Sequence, residues 1–92
     1  MGIVMKLQNL CIGDGIIENF SFDRTTLVVV FKDFSGSLFN ITFEGCFLIK
    51  ETGSVGFSLC KAEILKNTWI VHDDDGPVLT VGFEEVDIAE LG

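Results

Sequence analysis

In the stretch LFNITFEG, Leu38 to Gly45, apolar and polar side chains alternate one for one. Phe39, Ile41 and Phe43 fall on one face, and Asn40, Thr42 and Glu44 on the other. A chain that sends successive side chains to opposite sides is a β-strand with one buried face. A helix would smear the same pattern around its axis. The alternation recurs in NFSFD (Asn19 to Asp23), in PVLTVGF with Leu79, Val81 and Phe83 aligned, and in EEVDIAEL with Val86 and Ile88 against Glu85 and Asp87. LVVVF and NTWIVH add β-branched and aromatic runs, and DRTT, DFSGS and ETGS supply turn formers between the segments. Gly45 breaks the run before CFLIK, which predicts a bulge or bend.

Helical periodicity is weak throughout. The best helical candidate by composition is CKAEILKN, Cys60 to Asn67. It follows the β-rich VGFSL, and strand is the favoured reading. These patterns predict a single all-β domain over residues 1–92: a small antiparallel β-sandwich or barrel of roughly 7–9 short strands with little or no helix. Phe39, Ile41, Phe43, Leu79, Val81 and Phe83 are expected inside.

Ninety-two residues can build one modest core, and a domain of that size buries only roughly two-thirds of its chain surface. Nine Phe and a mean hydropathy of +0.48 therefore predict apolar surface left outside, and with it a partner or a homo-oligomer joined through an edge strand. No apolar run approaches a membrane span, and the first residues lack the basic and apolar regions of a secretory leader. Lys6 stands where N-myristoylation wants Ser or Thr. The expected location is the cytoplasm. Cys11, Cys46 and Cys60 are an odd, widely spaced set, read as small core hydrophobes and not as a disulfide framework.

The stretch HDDDGP, His72 to Pro77, is the one place that resembles chemistry. Counted from Asp73, glycine falls at the fourth position where an EF-hand needs it at the sixth, so that loop is excluded. Zinc from Cys11, Cys46, Cys60 and His72 would lack the close cysteine pairs of structural zinc sites. Acid–base catalysis needs two carboxylates in different environments, which three neighbours at a loop tip do not offer. The pattern fits a hairpin turn: Asp at the early positions, Gly where φ turns positive, and Pro77 opening the returning strand. No cofactor, metal or catalytic residue is predicted.

Charge is the remaining signal. Of the net −8, residues 1–66 hold seven acids and all six bases, whereas residues 67–92 hold seven acids and no base. No basic patch, Tyr or phosphate-binding glycine loop is present, which argues against nucleic-acid partners and against nucleotide chemistry. The expected function is a non-catalytic interaction module that offers Asp73, Asp74, Asp75, Glu84, Glu85 and Asp87 to a basic protein. An inhibitor or immunity-type protein is its most concrete form. Acidity also keeps a small apolar domain dissolved, and a ligand- or metal-binding β-barrel or a homo-oligomeric structural protein are the alternatives.

Overall fold

The computed structural model describes residues 6–91, and the expectations for residues 1–5 fall outside that range. Eight strands follow a short 3-10 turn at Leu7–Asn9: β1 Ile16–Asp23, β2 Thr26–Lys32, β3 Leu38–Glu44, β4 Leu48–Glu51, β5 Lys61–Leu65, β6 Thr68–Asp73, β7 Gly76–Gly82 and β8 Glu85–Leu91. They form two four-stranded antiparallel sheets, ordered β1-β2-β3-β8 and β4-β7-β6-β5. This is a β-sandwich, one of the two all-β forms the alternation predicts.

Hydrophobic alternation sets the register. Phe43, Ile41 and Phe39 of β3 lie opposite Leu27, Val29 and Phe31 of β2, and all six are buried. The facing sheet contributes Trp69, Val71, Leu79 and Val81, and Phe43 stacks obliquely on both Trp69 (5.4 Å between ring centroids) and Phe83 (5.0 Å). The six residues expected inside are therefore all in the core. Leu7, Leu10 and Ile12 close it from the N-terminal side, and Gly15 lies so close to the Phe31 ring that a Cβ would collide with it.

The two sheets are joined by a corner. β3 passes into β4 through Gly45, Cys46 and Phe47, and β7 passes into β8 through Phe83 and Glu84. The two crossings run side by side. Glu44 faces Glu85 in one sheet and Leu48 faces Gly82 in the other, while the Glu84 amide donates to Glu44 O at 3.0 Å and the Phe47 amide to Gly82 O at 3.0 Å. The antiparallel pairing thus resumes in the second sheet after a short break, in which the Cys46 amide turns to Thr25 O and the Phe83 amide to Asn67 O. Gly45 makes the bend, at φ +66°, with Glu84 packed on the side where a Cβ would project.

Two local expectations change. Lys61–Leu65 is strand, as favoured, but the preceding VGFSLC is a loop that touches β1 only through isolated bridges, Ile16 to Ser58 and Ile17 to Val55. Glu51 organises that loop: its carboxylate accepts from the Ser54 amide (2.5 Å) and the buried Ser54 hydroxyl (2.8 Å). The cysteines are not all core hydrophobes either. Cys46 is half-buried, but Cys11 and Cys60 are exposed, because Leu59 and Ile12 take the inward positions beside them.

Candidate functional site

The Asp73–Asp75 stretch is a tight hairpin tip. Asp73 pairs with Gly76 (φ +129°), which leaves Asp74 and Asp75 as a two-residue loop. The Asp75 amide donates to Asp73 Oδ1 at 2.7 Å, so Asp73 serves its own turn. Asp74 and Asp75 are exposed. Asp74 Oδ1 accepts from the Cys60 thiol at 3.0 Å. That hydrogen bond, then burial and the charges of Asp74, Asp14 and Asp73, push the Cys60 pKa above its ordinary value. A thiol held protonated by carboxylates is a poor nucleophile. His72 is half-buried at the end of β6, with Nε2 3.6 Å from Glu63 Oε2. Among the described residues, no three His, Cys, Asp or Glu side chains converge as metal ligands do.

Glu84, Glu85 and Asp87 sit elsewhere. β7 carries the chain seven residues away from the tip, roughly 20 Å at about 3.3 Å per residue, before the corner brings Glu84 and Glu85 into play. Glu85 lies directly opposite Glu44, and Asp87 opposite Thr42 further along the same outer face. The six residues expected to form one acidic face thus form two groups. Asp73 and Asp74 of the tip stand with Asp14 near Cys60, and Glu84 and Glu85 stand with Glu44 at the corner, with Asp87 further along β8. Two of the described bases pair with other acids, Lys32 with Glu18 and Lys61 with Glu63. None of the corner carboxylates is matched to a described base.

Beside the corner lies the feature that residue patterns left unlocated. Phe20 and Phe22 of β1, Leu27 of β2, and Cys46, Phe47, Leu48 and Ile49 of the corner and β4 line an open hollow of about 360 Å³. Phe22 is 52% exposed, Phe47 66% and Leu48 45%. Both flanking strands are sheet edges. The β1–β2 turn leans on the corner, since the Cys46 amide donates to Thr25 O at 2.9 Å. Asp23 ends β1 beside this groove, with Arg24 next to it in the turn, whereas Glu44 and Glu85 lie at the same end of the sheet on its outer face, opposite to the face of Phe20 and Phe22, and Glu84 packs on Gly45 at the corner.

A smaller hollow of about 230 Å³ separates the Leu7–Gly13 segment from β5 and reaches Trp69, whose indole N–H is buried without a described partner. Comparison of the chain with protein-family models, with curated proteins and with solved structures gave no match. Among the described residues no helix is long and apolar enough to cross a membrane.

Proposed function

We propose that this protein is a non-catalytic interaction module that binds a basic protein partner through the aromatic groove and the acidic surface about it. Neutralising a basic enzyme, in the manner of an inhibitor or immunity protein, is the most concrete version, and the cytoplasm is the proposed setting. Three free thiols are in keeping with a reducing compartment. The observation that carries the reading is the groove of Phe20, Phe22, Phe47 and Leu48, all partly exposed, in a chain of net charge −8 whose corner carboxylates Glu44, Glu84 and Glu85 are paired to no described base. Apolar anchors set in a charged surface are the anatomy of a specific protein interface.

Magnitudes show why both parts are needed. Burying a whole Phe or Leu stabilises by ~1.5–3 kcal/mol, so covering the exposed halves of four such residues gives about 3–6 kcal/mol. Micromolar binding needs ~8 kcal/mol net of association costs. Charge attraction and main-chain hydrogen bonds must supply the remainder. The acidic surface also orients encounter with a basic partner and repels an acidic one.

The test is a photo-crosslinking residue placed at Phe47 and, as control, at Phe34, which is equally exposed but lies in the β2–β3 turn. The expected product is a basic protein joined from position 47 and not from 34, and lost at high salt. Equal crosslinking from both positions, or an acidic partner, refutes the proposal. Self-association is the second reading, favoured by the apolar area on edge strand β1. It would bring the unmatched corner carboxylates of two copies together, which weakens it.

A further inference from the structure

β1 is the edge of its sheet, and its two halves are treated differently. Along the first half the chain covers its own edge: Ile16 bridges Ser58, Ile17 bridges Val55, and the Gly56 amide donates to Ile17 O at 3.0 Å. Along the second half, Asn19 to Asp23, no described residue pairs with the outer side. A bulge at Glu18 separates the halves. The two-residue turn Arg24–Thr25 makes Asp23 and Thr26 the first hydrogen-bonded pair of the hairpin. Pairs then alternate, so Ser21–Val28 and Asn19–Val30 bond across the hairpin, while Phe22–Leu27 and Phe20–Val29 do not. The N–H and C=O groups of Phe20 and Phe22 therefore point outward from the sheet edge, and their rings line the groove.

We propose that the open half of β1 is a strand-acceptor site, which takes an extended basic segment of the partner as a ninth strand between β1 and β4. This rests on the interaction reading above and specifies its mode. The incoming strand would bond Phe20 and Phe22 through its backbone and insert alternate apolar side chains among Phe22, Phe47 and Leu48. Its alternate, basic side chains would lie on the outer face beside Asp23, at the end of the sheet that also carries Glu44. Charge decides the occupant: a second copy of this chain would bring one net charge of −8 against another, whereas a lysine- or arginine-bearing segment is complementary to it. The geometry repeats what the Val55–Ser58 loop already does on the covered half.

The probe is a synthetic octapeptide alternating valine with lysine, added to ¹⁵N-labelled protein and followed by amide hydrogen exchange. A matched peptide carries N-methyl groups on its ladder-forming edge. The expected result is slower exchange at Phe20 and Phe22, with binding weakened at least tenfold by N-methylation, by Phe22→Ala and by 1 M salt. Undiminished binding of the N-methylated peptide overturns strand addition and leaves the groove as a basic-partner site. Concentration-dependent protection of the same amides without peptide means a second copy occupies the edge, which overturns the proposed occupant. Absence of any binding at millimolar peptide overturns the acceptor site, and the crosslinking at Phe47 then decides separately whether the groove binds a partner at all.

Discussion

Gly45 is the residue on which the corner turns, and Gly45→Ala measures what the turn demands. Its φ of +66° is left-handed, a conformation that costs an alanine ~1–2 kcal/mol. The reduced entropy of the unfolded alanine chain returns ~0.4–1 kcal/mol, leaving about 1 kcal/mol. The second cost is steric: the new methyl would lie 2.8 Å from both Cβ and Cδ of Glu84. The Glu84 side chain can swing aside, but its Cβ is fixed to a backbone that also bonds Glu44, so the ladder must shift. Such overpacking costs ~1–3 kcal/mol. The sum, about 2–4 kcal/mol, is a large part of the ~5–14 kcal/mol available to a domain of this length. It predicts a fall in Tm on the order of 10–25 °C. Urea unfolding followed by the fluorescence of Trp69, the chain's single and fully buried tryptophan, reads it directly. Gly53→Ala is the control, because Gly53 has φ +76° with nothing within 4 Å of its Cβ position. It should lose only the backbone share, about 1 kcal/mol. Equal losses at the two positions would refute the close approach as the reason for glycine at the corner.

Replacing Asp73, Asp74 and Asp75 together by Asn should shift Tm by less than about 3 °C, with or without millimolar CaCl₂, because Asn keeps the turn acceptor. A Ca²⁺-dependent rise of many degrees in the parent alone would make the tip a structural cation site. Asp74→Asn alone should speed alkylation of Cys60 at pH 8 several-fold, since the hydrogen bond and charge that raise the thiol pKa are weakened; peptide mass spectrometry gives the rate, and an unchanged rate counts against the contact. The pKa of Glu51 is lowered by the Ser54 amide first and the Ser54 hydroxyl second. Its stabilisation is therefore present above the unfolded carboxylate range and lost as pH falls through the lower folded value. Glu51→Gln should flatten that acid limb of the stability–pH curve, and an unaltered limb assigns it to other groups.

The strands were legible because one physical rule, alternate burial, operates within five or six residues. Phe39, Ile41 and Phe43 announce their face without knowledge of their neighbours. The 55–59 segment shows where that rule stops. Val55, Phe57 and Leu59 alternate as a strand would, yet only Leu59 is buried and the segment bridges an edge instead of joining a ladder. Cys60 looked like a core residue among apolar neighbours, and parity placed it outside. The acidic residues were visible as a run in sequence, but β7 separates Asp73–Asp75 from Glu84 and Glu85. The groove was foreshadowed only as an excess of Phe. Its location depends on β1 and β4 both being edges, which no local pattern encodes.

The pairing on both sides of the corner also sets an order of assembly. Its partners are distant along the chain: Leu48 meets Gly82 across 34 residues, and Leu38 meets Leu91 across 53. The β1–β2–β3 and β5–β6–β7 meanders need only short loops and can close early, each with its register set by its own turns. The corner closes a much larger loop and depends on both meanders being in place. β8 is then a latch. Until it docks, β3 presents a bare edge with Phe39, Ile41 and Phe43 beside it, the kind of surface that pairs with other chains. Losing the β8 latch would therefore show first as aggregation of a half-built sandwich, before any change at the groove.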